Sequence, residues 1–405
     1  MLIASSFFSS LQTWLRQRRR SIVAQFSTDR SANELEDNLS QLPTLARYQL
    51  FDQLKQLPSH PSYTEQLTAD FDLIFKNWRV SQDSIDDWAT GCNRNVWIVV
   101  SPSVANLANV IDAFLQSIID DEAAQVPTYQ GLPIQVAPAA ARSDGQSLQQ
   151  QLGSKESSER DREIVVIPCL EQYFLRSVDG LEGIDLLKER LIADSSRFWI
   201  LGLGYVGWKY LQAIVALDTY AQKVTHLRPL SGEQLSAWID PIVSNLDIRF
   251  ESSSLSSKLP SSKINWRELY FNALSDESEG TDTVAIQLFL NSLQVVDRSG
   301  DAKAAEENES NRIQGYQLQA KTPRCPSIPA LDGEDIYLLY SLLLHCWLTK
   351  QELAESLGQT PYQIERQLQT LRKTGVIEQQ QQTLRLNPVY YPTVRTKLAG
   401  DNFAL

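Results

Sequence analysis

The pattern of apolar residues is helical along the first 90 residues of this 405-residue chain. Within 1–30, apolar side chains recur at three- and four-residue steps, which places them along one side of a helix. A second helical stripe comes after two prolines and consists of Leu67, Phe71, Ile74, Phe75 and Trp78. The sequence therefore predicts an amphipathic helix over 1–30 and a helical region over 31–90.

The period changes at residue 96, where VWIVVS forms a continuous apolar run. Such a run is typical of a strand that is buried on both faces. Three similar runs follow, EIVVIPCL, FWIL and KVTHLRPL, and helical stretches are predicted between them over 104–119, 183–193 and 208–221. Strands that alternate with helices indicate a parallel sheet covered by helices. We place this α/β domain at 91–250, with a flexible polar loop at 141–163.

The last third of the chain predicts two further units. Residues 251–330 are expected to form a helical lid interrupted by two acidic loops, ALSDESEGTDT and DRSGDAKAAEENES. Residues 331–405 predict three helices followed by a two-stranded ribbon, which is the layout of a winged-helix domain. Thr349 and Thr360 are predicted helix N-caps, and Pro361 suits the first position of a helix.

Charge and cysteine content narrow the function classes. The net charge is -12 and the pI is near 4.9, so the bulk surface favours neither nucleic acid nor an anionic membrane. Residues 1–30 differ, because five arginines against Asp29 give them +4. Four cysteines without a CxxC pair argue against a disulfide framework or a zinc site, and we expect a cytoplasmic protein. No apolar run reaches the roughly 18 residues of a membrane span.

The stretch RFWILGLGYVGWKYL contains the spacing of a dinucleotide-binding loop at Gly202, Gly204 and Gly207. A dinucleotide loop follows the first strand of its sheet, and an acidic residue ends the next strand about twenty positions later. Here FWIL is the third buried run, and the next run ends in Arg228 and Pro229. We therefore interpret the glycines as a tight strand-to-helix turn. An NAD-dependent oxidoreductase that uses them remains the alternative.

The residues that handle ATP in a phosphate-loop enzyme are missing. The first strand is followed by Ser101, Pro102 and Ser103, without the glycines and lysine that cradle phosphates. The second strand ends in Pro168 and Cys169, and its nearest carboxylate is Glu171, which is expected either to cap the strand end or to reach a metal.

The sequence therefore predicts no catalytic residue, no bound cofactor or metal ion, and no ATP hydrolysis. The three histidines, His60, His226 and His345, lie far apart in the sequence. We expect each of them to be a core or surface residue.

Several segments together resemble a degenerate AAA/STAND-type P-loop ATPase, in particular the ATPase-like proteins of cyanobacteria that end in a winged helix. They are VWIVVSPSVANLANVIDAFL, IVVIPCLEQYFLRSVDGLEGIDLLKERL, RFWILGLGYVGWKYL, VTHLRPLSGEQLSAWI, PALDGEDIYLLYSLLLHCWLTKQELAESLG and LRLNPVYYPTVRTKLAG. The likeness covers roughly residues 90–400. It implies a P-loop-NTPase-like sheet and, because the ATP-handling residues are absent, a pseudo-ATPase. Such a protein would be a scaffold or a regulatory interaction protein with protein partners.

The predicted winged helix raises one further class, a DNA-binding regulator. Its basic residues would contact phosphates; they are Arg366, Arg372, Lys373 and Arg385. Residues 334–405 carry seven basic and seven acidic side chains. A neutral domain is a poor match for a ligand whose binding rests on phosphate neutralisation, so nucleic acid is kept as the alternative partner.

The N-terminal segment predicts an in-plane membrane anchor. Its apolar stripe would enter the headgroup boundary, and its arginines would meet anionic lipid; these residues are Ile3, Phe7, Leu11, Trp14, Leu15, Arg16, Arg18, Arg19 and Arg20. A transit peptide and a helix that docks on the protein or on a partner are the rival interpretations. We expect the full-length protein to float with anionic liposomes at low salt. Flotation that survives deletion of residues 2–20 would contradict the anchor.

Overall fold

The computed structural model describes residues 50–54, 57–83, 95–120, 127–137, 162–250, 265–297, 316–401 and 403. The predicted helix over 1–30 lies outside the described residues. So do most of the polar loop at 141–163 and nearly all of the second acidic loop.

The protein is a mixed α/β structure built around a six-stranded, mostly parallel sheet. In sheet order the strands are β2, β3, β4, β5, β1 and β6, and every pair except β2–β3 is parallel. Their bounds are β1 Val96–Ser101, β2 Thr128–Tyr129, β3 Leu132–Val136, β4 Glu163–Ile167, β5 Arg197–Gly204 and β6 Lys223–His226. The predicted covered parallel sheet is therefore confirmed. The strands β2 and β3 were not predicted.

The strand β1 lies inside the sheet, next to the edge strand β6, and all six of its residues are buried. It pairs with β5 on one side, with Ser101 opposite Gly204, and with β6 on the other. The continuous apolar run follows from this interior position, because both faces of the strand are covered.

Among the residues that the structure describes from 61 to 250, five α-helices accompany this sheet. They are α1 Pro61–Asp83, α2 Leu107–Ile118, α3 Glu182–Ala193, α4 Tyr205–Val215 and α5 Gly232–Asn245. The helix predicted at 208–221 begins three residues earlier and is followed by a 3-10 turn, Leu217–Tyr220. The glycine loop thus runs straight into the first turn of α4.

The helix α1 packs directly on the sheet, although its sequence suggested a separate helical region. The ring of Phe71 lies 5.8 Å from that of Trp97 in β1, 5.7 Å from that of Phe198 in β5 and 5.4 Å from that of Phe114 in α2. The indole N–H of Trp78 donates to the carbonyl of Ser195 at 3.2 Å. The domain boundary expected near residue 90 is therefore wrong for α1, which shares the core of the sheet.

A polar chain also ties α1 to the edge strand β6. Asp70 accepts from the Thr225 hydroxyl at 2.7 Å and pairs with the Lys223 ammonium at 2.6 Å. The same hydroxyl accepts from the indole N–H of Trp97 at 2.9 Å. A buried polar group needs such partners to offset the loss of water.

The region expected to be a helical lid contains strands as well as helices. Its described elements are α6 Trp266–Glu277, α7 Asp282–Ser292, β8 Leu293–Asp297 and β9 Tyr316–Ala320, and the strand β7 Arg249–Phe250 immediately precedes it. The three strands form a second sheet in the order β7, β9, β8. The first predicted acidic loop is also corrected: residues 273–283 are the end of α6, a short turn and the start of α7, with Ser278 and Thr281 buried.

Residues 331–401, here called the C-terminal module, contain three helices, a two-stranded ribbon and a final helix. Their bounds are α8 Gly333–His345, β10 Leu348–Thr349, α9 Lys350–Ser356, α10 Glu365–Lys373, β11 Ile377–Gln380, β12 Thr383–Leu386 and α11 Tyr391–Gly400. A short strand that was not predicted, β10, pairs with β12 and completes a three-stranded antiparallel sheet. Thr349 caps α9 in a reciprocal arrangement with Glu352.

In the part of the chain that the structure describes, no helix combines the length and apolar character needed to cross a bilayer.

Candidate functional site

The candidate site lies at the carboxyl ends of β1, β4 and β5. In parallel α/β sheets, ligands bind outside this edge, where the chain changes its direction of travel along the sheet. The chain makes that change here, because it leaves β1 towards β3, returns through β4 to β5, and then places β6 on the far side of β1. Ser103 follows β1 at this edge, Glu171 follows β4, and the glycine loop lies at the end of β5.

The three glycines of the loop are needed for space, because none of them has a positive φ. A Cβ at Gly202 would lie 2.4 Å from the carbonyl oxygen of Pro168. At Gly204 it would lie 3.0 Å from the Cα of Ser103, and at Gly207 it would lie 3.1 Å from the carbonyl oxygen of Leu344. Neighbouring chain therefore occupies the space beside all three glycines.

A dinucleotide-binding fold holds its pyrophosphate at the first turn of the helix that follows its glycine loop, and in this protein the helix after the glycine loop is α4. In this protein the buried carboxylate of Glu171 accepts a hydrogen bond from the N–H of Gly204, and the Ser103 hydroxyl accepts one from the N–H of Val206 at 3.0 Å. The positive end of the α4 dipole favours a negative group at this position. The protein supplies that group itself through Glu171, which is buried rather than solvated.

The C-terminal module and α7 cover the same edge. Tyr391, the first residue of α11, is buried, and its hydroxyl lies beside the backbone of Ser103. The hydroxyl of Thr283 donates to the carbonyl of Val104 at 3.1 Å. The last turn of α8 reaches Gly207 through Leu344. The edge is thus covered by α7, α8 and α11, in addition to the loops that carry Ser103 and Glu171.

A buried carboxyl group, that of Asp282, lies at the start of α7 beside this edge. Burial raises its pKa to about 6, although the N–H of Thr283 donates to the carboxylate at 2.7 Å and opposes the shift. Tyr63 of α1 lies beside the backbone of Asp282, and burial and the nearby carboxyl group both raise the tyrosine pKa. The contact joins α1 to α7.

The three histidines do not come together. His60 donates to the carbonyl of Gln234 at 3.4 Å and packs edge-on against Trp238, while His226 lies exposed at the end of β6. His345 is fully buried, and its Nε2 accepts from the backbone N–H of Arg176 at 3.2 Å. Within the described ranges, no three His, Cys, Asp or Glu side chains are grouped to hold a metal ion.

Two of the four predicted phosphate-contacting cations are engaged with carboxylates. Arg385 donates to Glu378 through Nε at 2.9 Å and through Nη2 at 2.6 Å. Arg372 lies 3.6 Å from the carboxylate of Glu365 and also hydrogen bonds Gln379. Arg366 and Lys373 are exposed. The membrane residues predicted within 1–30 lie outside the described part of the chain.

Sequence reasoning identified Glu171 and the glycines but missed Ser103, Thr283 and Tyr391 as parts of one site. The glycine spacing indicated that another part of the chain packs closely against this loop, but it did not show which part. The partners come from positions up to 288 residues away, from Ser103 to Tyr391, and no local pattern marks such a pair.

Comparisons with known proteins give weak likenesses. No family model matches the chain, and no curated protein matches it. Among solved structures, it is similar to the Aeropyrum pernix ORC2 protein, solved as ADPNP-ADP complexes, with 13% identity and a TM-score of 0.32 over 81% of this chain and 94% of that one. It is also similar to Cdc6p from Pyrobaculum aerophilum, with 14% identity and a TM-score of 0.32 over 86% and 95% of the two chains. These likenesses assign a role to no residue.

The packing role of the glycines predicts a loss of stability on adding one methyl group. We expect Gly202→Ala to lower the free energy of unfolding by about 1–3 kcal/mol, because the new Cβ meets the Pro168 carbonyl. Gly333→Ala is the matched control, since nothing lies within 4 Å of a Cβ there, and we expect a change within about 0.5 kcal/mol. Urea denaturation measures both. Equal effects in the two variants would contradict the packing role.

The raised pKa of Asp282 predicts a pH-dependent cost to the folded state. The native carboxyl binds its proton more tightly than the unfolded one, whose pKa is 3.8, so its stabilising contribution is lost as pH rises from about 4 to about 6. Asp282→Asn should therefore gain stability relative to the wild type over that window, by up to about 3 kcal/mol. Urea midpoints of both proteins at each pH test this. A stability difference that is constant with pH would show that Asp282 ionises normally.

Proposed function

We propose that this protein is a non-catalytic, pseudo-ATPase scaffold or regulatory interaction protein, a degenerate relative of the AAA/STAND-type P-loop ATPases. The observation that carries the proposal is that the chain's own groups occupy the sheet edge beside the loop after β1. The hydroxyl of Ser103 in that loop and the carboxyl group of Glu171 accept hydrogen bonds from the N–H groups of Val206 and Gly204. A phosphate at this edge would have to displace both groups from the N–H groups that they hold.

The loop after β1 supports the same proposal. A phosphate loop offers successive backbone N–H groups and a lysine to the nucleotide. Here the loop residue Ser103 is 2% exposed, its hydroxyl accepts from the N–H of Val206, and its backbone lies beside the buried Tyr391. The contacts that would bind phosphate are replaced by contacts within the chain. Catalysis of phosphoryl transfer rests almost entirely on positioning and charge stabilisation, so their loss removes the activity.

In the proposed scaffold the C-terminal module covers the sheet edge at which the candidate site lies. We assign this module to the winged-helix type because of the order of its helices and strands and its two-stranded ribbon. In this assignment the module serves protein contacts. Because Arg372 and Arg385 form ion pairs with carboxylates, only two of the four basic residues predicted to contact DNA phosphates, Arg366 and Lys373, are not paired in this way within the described part of the chain. The proposed partners are therefore proteins, and a DNA-binding regulator remains the alternative class.

The decisive experiment measures nucleotide binding and turnover by the full-length protein with magnesium present. We expect no saturable binding of a fluorescent ATP analogue and no phosphate release above the buffer blank. Glu171→Gln and the surface control Glu189→Gln are assayed beside the wild type. Turnover by the wild type that Glu171→Gln abolishes and Glu189→Gln retains would overturn the proposal. Saturable NADH binding that Gly204→Ala abolishes would instead support the oxidoreductase alternative.

A further inference from the structure

A groove of about 1080 Å³ lies between the segment 173–183 and the C-terminal module. This segment follows the strand β4. The opposite wall of the groove comes from the start of α8 and the end of α9. Apolar side chains line part of it, including Leu175, Val178, Tyr337 and Leu357. Val178 is 99% exposed and Tyr337 is 51% exposed. These large apolar surfaces are available to a ligand.

The rim of the groove is acidic. It carries five carboxylates against the single cation Arg176, and the carboxylates belong to Asp179, Glu182, Glu334, Glu352 and Glu355. The guanidinium of Arg176 lies over the ring of Tyr340, 6.0 Å from its centroid. Glu352 is used in the cap of α9, whereas the other four form no ion pair within the described ranges of the chain. The groove therefore attracts a cationic ligand that also has an apolar side.

The walls of the groove are held in place before any ligand binds. The N–H of Leu175 donates to the carbonyl of Gly180 at 2.8 Å, which closes the segment into a tight turn. A Cβ at Gly180 would lie 2.0 Å from the Leu175 carbonyl oxygen. The backbone of Arg176 is tied to the buried ring of His345 in α8. A preformed site loses less conformational entropy on binding.

We infer that the acidic groove binds the chain's own residues 1–30, which favours the docked helix over the membrane anchor expected from the sequence. That segment carries +4 and predicts an apolar stripe beside its arginines, so it matches the groove in both charge and apolar character. Residues 31–49 connect it to Leu50, and nineteen residues can span about 60 Å when extended. A compact chain of this length has a radius of gyration of about 20 Å, so the connection is long enough. The inference does not depend on the loss of ATPase activity.

Limited trypsin digestion of the full-length protein tests the inference, with the rate of cleavage after the arginines at 16–20 followed by mass spectrometry. A docked segment is cleaved only when it opens, so cleavage reports the docked population. We expect the double variant Asp179→Lys, Glu355→Lys to be cleaved about tenfold faster than the wild type at low salt. High salt should raise the wild-type rate towards that of the variant, because it screens exposed charges.

The control is Glu189→Lys, Asp276→Lys, which makes the same change of charge at exposed positions away from the groove. It should be cleaved at the wild-type rate. A second variant, Arg18→Gln, Arg19→Gln, Arg20→Gln, should be cleaved faster at Arg16 without any change to the folded domain. Circular dichroism confirms that every variant is folded.

Three outcomes would overturn the inference. The first is equal cleavage of the wild type and the groove variant. The second is protection that appears only when vesicles with anionic lipid are added, which would assign the segment to a membrane. The third is protection that grows with protein concentration, which would assign it to a second copy of the chain.

Discussion

The closure of the candidate site depends on one buried carboxyl group, that of Glu171 at the start of α4. Burying a carboxyl group costs free energy unless hydrogen bonds and a favourable electrostatic environment offset the loss of water. The N–H of Gly204 and the positive end of the α4 dipole provide both. This arrangement requires a chain without side chains at Gly204 and Gly207, where a Cβ would meet Ser103, Leu344 and Glu171 itself. The glycine loop, the loop after β1 and the end of α8 are therefore fixed by the same constraint.

The apolar runs of the sequence predict the interior strands of the six-stranded sheet, because these strands are buried on both faces. β1 and β5 are read directly from their apolar runs. β3 escapes notice because it is only partly buried, and its residues include Pro133 and Gln135. β10 escapes notice because two residues are too few to show a period. A local sequence pattern thus identifies strands that are fully buried and misses strands that are short or only partly buried.

Tertiary packing sets the rest, and it is invisible to local pattern. The stripe of α1 predicts a buried face, but only the structure shows that Phe71 meets Phe198, 127 positions later in the chain. For the candidate site, the choice between a cap and a metal ligand at Glu171 depended on what the α4 terminus presents to it. The contact of Tyr391 with Ser103 has no counterpart in the sequence pattern at all. The C-terminal module, which sequence treats as a separate domain, is part of the closure of the sheet edge.

The position of β1 between β5 and β6 also has a consequence for how the protein is made. Its neighbours in the sheet, β5 and β6, begin at Arg197 and Lys223, roughly 100 residues after β1 ends. At synthesis rates of about 5–20 residues per second, the run VWIVV emerges about 5–20 s before either neighbour can pair with it. A segment that is apolar, uncharged and rich in β-branched residues is prone to join other chains while it waits. The nascent chain therefore depends on its early helices or on chaperones to shield this strand until the sheet can close.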